Sequence, residues 1–457
     1  MSASAHPPAG SISLTSNPYL MRSILVGALA GLLFGFDTAV ISGTTGALRA
    51  VYQLSPAQLG FTVSAALWGT VIGALCAGVI AQRFGGRRSM SLTALFYMVS
   101  ALGCALAWSW SAVIGFRFIG GLGIGASSVV APVYLAELAP ARARGRLVGV
   151  FQINIVVGIL VAYLSNYLIS RVGLGIREWR WEFGVAAVPA LVFFILLFGI
   201  PESPRWLVTR GRTAEAAQVL DLLGNSDGEA ALQEIVRSVH LTRSGRSEPL
   251  FSSKYRFPIF LAVSVAFFNQ FAGINAILYY ANDIFAMGGY SKLSANLQAV
   301  AIGLTNLVFT LMAMAVIDRV GRKTLLLIGA VGMAACLLGV SAIFFTRQHQ
   351  QALLTLLIVY VAFFAFSQGA VIWVFISEVF PNLVRARGQS LGSGTHWVMN
   401  AIIGQLFPIF AARSGGYPFL LFGVMMVIQF LVVLVVYPET KGFTLEQMED
   451  HLGIEQA

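Results

Sequence analysis

Two ionisable residues lie deep inside otherwise apolar stretches of the first half of the chain. Asp37 falls within the stretch 22–44 and Arg117 within the stretch 112–136. A charge in an apolar environment is costly when unpaired, so both residues are functional candidates. Burial favours the protonated form of a carboxyl group, and a nearby guanidinium favours its ionised form. A carboxylate that alternately meets and loses an arginine can therefore bind and release a proton. A static ion pair between the two stretches is the alternative.

Amide, imidazole and indole side chains occur in several later apolar stretches. Amides can both donate and accept hydrogen bonds to neighbouring hydroxyl groups, and an indole ring offers a flat apolar face. Such a set can hydrogen-bond a small polar molecule and pack against its apolar face. The candidates are Gln152, Asn269, Gln270, Asn275, Asn306, Trp373, His396, Trp397 and Asn400. For any single amide, a hydrogen bond between two helices is the alternative interpretation.

No arrangement typical of an enzyme or a metal protein is visible in the sequence. The cysteines and histidines are scattered without ligand spacing, and no nucleophile–base set lies in the apolar stretches. Gly121-x-Gly123-x-Gly125 is similar to a dinucleotide-binding loop, but it lies within an apolar stretch, where glycines allow close helix packing. We therefore expect no catalytic residue, no metal site and no cofactor.

The elements that position these residues are predicted to be membrane-spanning helices. Of the 457 residues, 57% are hydrophobic and 11% are charged, against about 45–50% and about 25% in soluble domains. A span needs roughly 20 apolar residues. Twelve stretches qualify, at 22–44, 59–82, 89–109, 112–136, 147–170, 182–200, 257–285, 296–317, 324–345, 353–377, 388–411 and 417–437. The sequence predicts an all-α membrane protein.

The distribution of basic residues predicts the orientation of these spans. With both termini on one side, 21 of the 29 basic residues fall on that side and seven on the other. Basic residues concentrate in cytoplasmic loops, so both termini are predicted to be cytoplasmic. The net charge of +10 is then explained by the many basic residues in the predicted cytoplasmic loops. We expect a lipid bilayer around the protein and no nucleic-acid partner.

The spans divide the chain into five predicted regions. Residues 1–21 form a cytoplasmic tail and residues 22–200 an N-terminal half of six helices. Residues 201–256 form a cytoplasmic linker with short helices, residues 257–437 a second half of six helices, and residues 438–457 a cytoplasmic tail.

Charged motifs at the predicted cytoplasmic helix ends repeat between the two halves. Glu137-x-x-Pro-x-x-x-Arg144 recurs as Glu378-x-x-Pro-x-x-x-Arg385, 241 residues later. Arg83-x-Gly recurs as Arg319-x-Gly, and the pair Pro-Glu202 recurs as Pro-Glu439, with offsets of 236 and 237 residues. Repeated halves with a site between them are typical of secondary transporters.

Several stretches together resemble the sugar porter family of the major facilitator superfamily, along nearly the whole chain. The most specific are Pro201-Glu-Ser-Pro-Arg205 and Pro438-Glu-Thr-Lys-Gly442. The others are Gly31-Leu-Leu-Phe-Gly-Phe-Asp37 in span one, Arg117-Phe-Ile-Gly-Gly121 in span four and Asn269-Gln-Phe-Ala-Gly-Ile-Asn275 in span seven.

The resemblance implies the major facilitator fold, alternating access and a monosaccharide site between the halves. It assigns proton coupling to Asp37 and Arg117, because bacterial proton–sugar symporters carry an Asp where facilitative carriers have an Asn. It assigns sugar contacts first to Gln152, Gln270, Asn275, Asn306 and Trp373. It also implies a cytoplasmic gate of ion pairs, formed here by Arg83, Glu137, Arg144, Glu202, Arg319, Glu378, Arg385 and Glu439.

Four positions depart from the family pattern. Asn269 stands where many relatives have Gln, and His396 replaces a common Asn or Gln, so the sugar remains open. A fructose-selective branch has His-Trp at this place but lacks the equivalent of Trp373. Gln82 replaces the usual Asp and Gly86 interrupts a double-Arg motif, which predicts a weaker gate network in the first half.

The sequence therefore predicts a transporter, not an enzyme, that imports a hexose or pentose together with a proton. A facilitative sugar uniporter and a transporter-like sugar sensor are the alternatives. The sensor is disfavoured because only about 20 residues follow span twelve. We expect a monomer in the plasma membrane, namely the inner membrane of a bacterium, with a sugar and a proton as its partners.

Overall fold

A computed structural model shows an all-helical protein, without strands in the residues that it describes. Those residues are 17–138, 144–224, 228–244, 248–381, 383–442, 447–448, 452 and 454. Within them, the side chains of 144–148, 240–244 and 318 are not described, so the predicted gate residue Arg144 lies outside the described side chains.

The N-terminal half contains seven α-helices. They are α1 (Pro18–Tyr52), α2 (Pro56–Phe84), α3 (Gly86–Leu106), α4 (Trp110–Leu138), α5 (Arg144–Val172), α6 (Glu178–Gly184) and α7 (Ala187–Leu196). Helices α6 and α7 together form span six. Three short helices follow in the linker, α8 (Pro204–Thr209), α9 (Thr213–Leu222) and α10 (Gly228–Ser244), where the sequence predicted short helices.

The C-terminal half contains nine α-helices because two of its spans are broken and a further short helix follows span seven. They are α11 (Arg256–Phe271), α12 (Ile274–Tyr279), α13 (Ala281–Met287), α14 (Lys292–Val320), α15 (Arg322–Thr346), α16 (Ala352–Phe366), α17 (Gln368–Glu378), α18 (Arg385–Arg413) and α19 (Gly416–Val436). Helices α11 and α12 form span seven, and α16 and α17 form span ten.

Eleven of the twelve predicted spans are long and apolar enough to cross a membrane, judged over the described residues. The remaining one, span eleven, is present as the 29-residue helix α18. A helix of this length reaches about 43 Å at 1.5 Å per residue, more than a bilayer core requires. Helix α18 is too polar to qualify by composition because it carries candidate site residues, including His396 and Asn400.

Local sequence signals set several helix ends. The Asn17 side chain accepts hydrogen bonds from the backbone N–H groups of Tyr19 and Leu20, and a proline opens α1. Ser55 and Gln58 form a reciprocal capping box at the start of α2. Such caps satisfy backbone donors that have no partner inside the helix, so helices α1 and α2 begin where the sequence provides them.

Glycines allow the helices of the N-terminal half to touch through their backbones. A Cβ atom on Gly35 of α1 would lie 1.8 Å from the Ile155 carbonyl oxygen of α5. On α4, a Cβ on Gly121 would lie 1.9 Å from the Ala66 carbonyl oxygen of α2. Both substitutions would force the backbones apart. Gly121 and its neighbours on α4 therefore serve helix packing, as predicted, and not a nucleotide-binding loop.

The two halves meet at the end of the bundle opposite the linker. We call the end that carries the linker the inner end and the opposite end the outer end. Two salt bridges join the halves within the described residues, and both lie at the outer end. Arg49 Nη2 of α1 is 3.1 Å from Asp283 Oδ1 of α13. Lys292 Nζ of α14 is 2.7 Å from Glu178 Oε2 of α6. The outer end is therefore closed in this structure.

Candidate functional site

Asp37 and Arg117 form a buried ion pair between α1 and α4. Arg117 Nη1 lies 3.1 Å from both carboxylate oxygens of Asp37. The side chains are 11% and 3% exposed, respectively, and the guanidinium lies 5.6 Å from the ring centroid of Phe183 on α6. The two residues are therefore in contact, and a single guanidinium nitrogen contacts both carboxylate oxygens.

Span seven breaks in the middle of its Asn-Gln-Phe-Ala-Gly-Ile-Asn motif. Gly273 has φ +85°, a left-handed conformation, and separates α11 from α12. A Cβ atom there would lie 2.3 Å from Phe422 Cδ2 of α19, so the position requires glycine for two reasons. The break places Gln270 and Asn275 on either side of an interrupted helix, which is how transporters commonly line a central site.

Gln270 is the centre of a cluster of polar side chains. Its Oε1 atom accepts from Asn275 Nδ2 at 2.9 Å, and its Nε2 atom donates to Asn269 Oδ1 at 3.0 Å. The same nitrogen lies 3.0 Å from His396 Nδ1 of α18. Because an amide N–H can only donate, the histidine ring nitrogen accepts. The four residues, predicted separately from the sequence, therefore form one network that joins span seven to span eleven.

Aromatic rings lie next to this polar cluster. The Trp373 ring of α17 is 5.0 Å from the His396 ring, and the Trp397 ring is 5.2 Å from the His396 ring. Phe34 of α1 lies 5.7 Å from the Trp397 ring. Trp373 is 38% exposed, whereas Gln270 is 1% exposed. The arrangement offers hydrogen-bonding groups beside a partly open indole face, which suits a sugar ring.

The remaining candidates are placed differently. Asn400 of α18 exchanges hydrogen bonds with the Tyr279 hydroxyl of α12, at 2.9 and 3.1 Å. Gln152 is half-buried on α5 and Asn306 is buried on α14. Among the described residues, no direct hydrogen bond joins either of these two amides to Gln270. A ligand between the helices would be needed to link them to the cluster.

Sequence reasoning missed a buried amide pair next to the site. Gln368 is the first residue of α17, immediately after the break in span ten, and its Nε2 atom donates to Gln429 Oε1 of α19. Its backbone oxygen lies 3.5 Å from Asn269 Nδ2. Ser367, with φ −116° and ψ −91°, separates α16 from α17. Its hydroxyl packs closely on α15, where a Cβ on Gly329 would lie 1.9 Å from Ser367 Oγ. A polar Ser-Gln pair within an apolar span was the available signal.

At the inner end, equivalent glutamates of the two halves cap equivalent helices. Glu202 Oε1 accepts from the Arg87 backbone N–H at the start of α3, at 3.0 Å. Glu439 Oε1 accepts from the Arg322 backbone N–H at the start of α15, at 2.8 Å. A carboxylate at a helix N-terminus is stabilised by unpaired N–H groups and by the helix dipole. The sequence repeat therefore corresponds to a structural repeat.

The other inner-end motif residues also bond within their own half. Glu137 Oε2 accepts from the Ser203 hydroxyl at 2.5 Å, and Glu378 Oε2 accepts from the Thr440 hydroxyl at 2.6 Å. Arg322 Nη2 is 2.9 Å from Glu378 Oε1.

The remaining predicted gate arginines make other contacts. Arg83 lies over the ring of Phe84, Arg385 Nε donates to the Phe380 carbonyl oxygen, and Arg319 accepts from Lys441 through its backbone oxygen.

Comparisons with known proteins agree with this geometry. A family model described as "Sugar (and other) transporter" matches residues 23–452. The D-xylose-proton symporter of Escherichia coli (strain K12) is 37% identical, over 95% of this chain and 96% of that protein. The arabinose-proton symporter of Bacillus subtilis (strain 168) is 36% identical, over 92% of each chain. This chain belongs to the sugar transporter family.

The likeness extends to three dimensions. A solved structure of the E. coli xylose transporter in its inward-open conformation superposes on this transporter with a TM-score of 0.85, at 36% identity. The superposition covers 95% of this chain and 100% of the solved chain. The predicted fold class is confirmed. In this structure the outer end is closed by the Arg49–Asp283 and Lys292–Glu178 salt bridges.

Proposed function

We propose that this transporter imports a monosaccharide, a hexose or a pentose, together with a proton by alternating access. The observation that carries the proposal is the buried Asp37–Arg117 pair, in which Arg117 Nη1 contacts both carboxylate oxygens at 3.1 Å. The relatives named as D-xylose-proton and arabinose-proton symporters support it. A membrane interior tolerates such a pair at a cost, which a coupling role explains.

In the proposed cycle, Asp37 alternates between an ion pair with Arg117 and separation from it. In this structure Arg117 lies at hydrogen-bond distance from the Asp37 carboxylate. In the proposed cycle, separation of the pair accompanies proton uptake. One proton contributes about 1.4 kcal/mol per pH unit and about 2.3 kcal/mol per 100 mV. Together these support sugar accumulation on the order of a hundredfold or more.

We assign sugar recognition to the Gln270 network and the rings beside it. Gln270, Asn275 and Asn269 present amide groups within one hydrogen-bonded cluster. Trp373 supplies a partly exposed aromatic face next to His396. Gln152, Asn306 and Asn400 would complete the site from α5, α14 and α18 as the halves close around the sugar.

The proposed setting is the inner membrane of a bacterium, with the inner end of the bundle in the cytoplasm. The concentration of basic residues at that end supports this orientation. Both termini are then cytoplasmic, and the eight charged residues of the repeated motifs form the cytoplasmic gate, joining the halves when the outer end opens. We propose that the monomer is the transporting unit and that the predicted region boundaries apply.

The test is sugar-induced proton movement in reconstituted vesicles, with xylose, glucose, galactose and fructose compared in turn. Asp37→Asn is isosteric and cannot carry a proton at this position. We expect external alkalinisation with the transported sugar, its loss in Asp37→Asn, and sugar exchange that persists in the variant. Sugar exchange by the native protein without proton movement would make it a uniporter and leave Asp37 as a structural partner of Arg117.

A further inference from the structure

The amide side chains around Gln270 form a chain of hydrogen bonds, and such a chain has a direction. Each amide has a carbonyl oxygen that accepts hydrogen bonds and an NH2 group that donates two. Turning every amide by half a rotation would reverse all the bonds between them. A fixed group outside the chain therefore decides which donors and acceptors remain for a ligand.

The backbone carbonyl group of Gln368 sets this direction. Its oxygen lies 3.5 Å from Asn269 Nδ2, and a carbonyl oxygen only accepts, so the Asn269 atom that faces it must be the nitrogen. Asn269 Oδ1 then accepts from Gln270 Nε2 at 3.0 Å. Gln270 Oε1 accepts in turn from Asn275 Nδ2 at 2.9 Å. Because Gln368 is the first residue after the break in span ten, this break orients the amides of span seven.

His396 receives the second N–H of Gln270. Its two ring nitrogens lie 3.0 and 3.2 Å from Gln270 Nε2. That amide nitrogen only donates, and a ring nitrogen accepts only when it carries no proton. The neutral imidazole meets this requirement and the doubly protonated ring does not. The ring is buried and packs against the Trp373 and Trp397 rings, so it has little room to turn away.

The hydrogen-bonding capacity that Gln270 has left is that of an acceptor. Both of its N–H groups are occupied, one by Asn269 and one by His396. Its Oε1 atom has two lone pairs and accepts one hydrogen bond within the described residues, from Asn275. The residue is almost fully enclosed, so a ligand can reach little more than one of its atoms. A ligand that contacts Gln270 must therefore donate to Oε1.

Asn275 keeps capacity of both kinds. It is half-buried near the start of α12, and one of its N–H groups donates to Gln270. Its second N–H and its Oδ1 atom have no hydrogen-bond partner among the described residues. A sugar hydroxyl group can therefore donate to Asn275 or accept from it, whereas at Gln270 it can only donate.

We propose that His396 is a positioning residue that limits Gln270 to accepting, so that the transported sugar must present a hydrogen-donating hydroxyl group at this point. By holding the second N–H, His396 prevents Gln270 from donating to a sugar oxygen. An ether or fluorine substituent on the same sugar carbon is then excluded. The inference rests on the proposed sugar site, and it gives His396 a role that needs no direct contact with the sugar.

Sugar analogues that differ in one group test the proposal in the full transporter. The probes are D-xylose, D-glucose and their mono-deoxy and mono-fluoro derivatives, with affinities measured by calorimetry. A fluorine substituent accepts a weak hydrogen bond but donates none, whereas a deoxygenated carbon does neither. The hydroxyl group that meets Gln270 is the one whose removal weakens binding to the native protein but not to Gln270→Ala.

At that hydroxyl group, we expect the fluoro and deoxy sugars to bind the native protein equally, about 2- to 12-fold more weakly than the parent sugar. His396→Asn supplies an amide oxygen as acceptor and should preserve this pattern. His396→Leu frees an N–H of Gln270, so the fluoro sugar should then bind better than the deoxy sugar. An unchanged pattern in His396→Leu would overturn the proposal. So would a native protein that already prefers the fluoro sugar there, or sugars that bind without any hydroxyl group coupled to Gln270.

Nitrogen NMR of the sugar-free transporter tests His396 without sugar binding. The spectrum of isotope-labelled histidine, assigned with His396→Asn, distinguishes a protonated ring nitrogen from an unprotonated one that accepts a hydrogen bond. We expect one unprotonated nitrogen whose signal shifts in Gln270→Leu, where the donor is absent. Asn400→Leu, one turn along α18 and bonded to Tyr279, should leave the signal in place. A doubly protonated ring, or a signal unaffected by Gln270→Leu, would contradict the proposal. If neither sugar binds, the proposed function fails, and this readout still decides the role of His396.

Discussion

At the scale of single residues, the candidate sugar site depends on Gln270. Both ends of its amide are engaged, Oε1 with Asn275 and Nε2 with Asn269 and His396. A side chain held on both sides is oriented before a ligand arrives, and such preorganisation reduces the entropy lost on binding. Trp373 differs because a third of its surface remains exposed. It is therefore available for contact with a sugar ring.

Replacing this amide tests the site directly. Gln270→Ala should weaken sugar binding by about 1–3 kcal/mol, roughly 5- to 150-fold, because the sugar loses its hydrogen bonds and Asn275 and His396 lose their partner. Binding to the purified protein by calorimetry gives the change. Gln348→Ala, in an exposed loop, is the matched control and should bind normally. Unchanged affinity in Gln270→Ala would place the sugar elsewhere.

At the scale of helices, the breaks in spans seven and ten position the site. Gly273 allows α11 to end and α12 to begin in a new direction, and Ser367 separates α16 from α17. Backbone polar groups freed at such breaks are tolerated in membranes where they line a protein interior. The breaks thus place Asn275 and Gln368 beside the centre of the bundle.

The glycine at the first break can be tested against a glycine of similar conformation. Gly273→Ala should destabilise the transporter by about 2–5 kcal/mol, combining left-handed strain with overpacking against Phe422. Gly211→Ala has φ +75° at its position but no atom within 4 Å of the new Cβ, so about 1 kcal/mol is expected. Thermal unfolding and sugar binding of the two variants measure the difference. Equal losses would show that the close packing at Gly273 is unimportant.

At the inner end, the sequence repeat of the two halves corresponds to a repeat in the structure. Gly85 and Gly321, with φ +91° and +101°, precede α3 and α15, and a glutamate oxygen occupies the space beside each. Glu202 and Glu439 thereby hold the N-termini of equivalent helices. In this structure the gate carboxylates bond within their own halves, so their proposed contacts between halves belong to another state.

At the scale of the whole molecule, the outer-end contacts determine which side is closed. The Arg49–Asp283 and Lys292–Glu178 salt bridges join the halves there. Tyr163 of α5 also donates to the Leu278 carbonyl oxygen of α12 at 2.7 Å. Because these contacts exist only when the outer ends meet, each one stabilises the outer-closed arrangement relative to an outer-open one.

Weakening one of these contacts should shift the conformational equilibrium. Lys292→Gln removes a salt bridge whose lysine is 49% exposed, so a shift of about 0.5–1 kcal/mol towards the outward-open state is expected, roughly two- to fivefold. The distance between outer-end spin labels reports the shift. Arg212→Gln, which breaks the exposed Arg212–Glu215 pair within the linker region, is the control. An equal shift in both variants would refute a specific role for Lys292.

Much of this architecture was predictable because its signals are local in the chain. Apolar length and basic loops identify the spans, and short motifs identify the family. Only span eleven gave a weak signal, since α18 combines membrane length with polar site residues. The functional roles of Asp37, Arg117 and the amides remain predictions, although the structure brings Asp37 to Arg117 and Gln270 to His396.

The sequence by itself predicted a sugar transporter with twelve spans, an Asp37–Arg117 pair as the candidate for proton coupling, and a polar, aromatic set of candidate sugar contacts. Only the tertiary structure decided which of those residues meet, that Gln368 and Tyr279 support them, and that the outer end is closed. It also showed that neither carboxylate oxygen of the buried Glu182 has a hydrogen-bond partner among the described residues. These properties depend on distances between helices far apart in the chain, and hydropathy and motif spacing do not encode such distances.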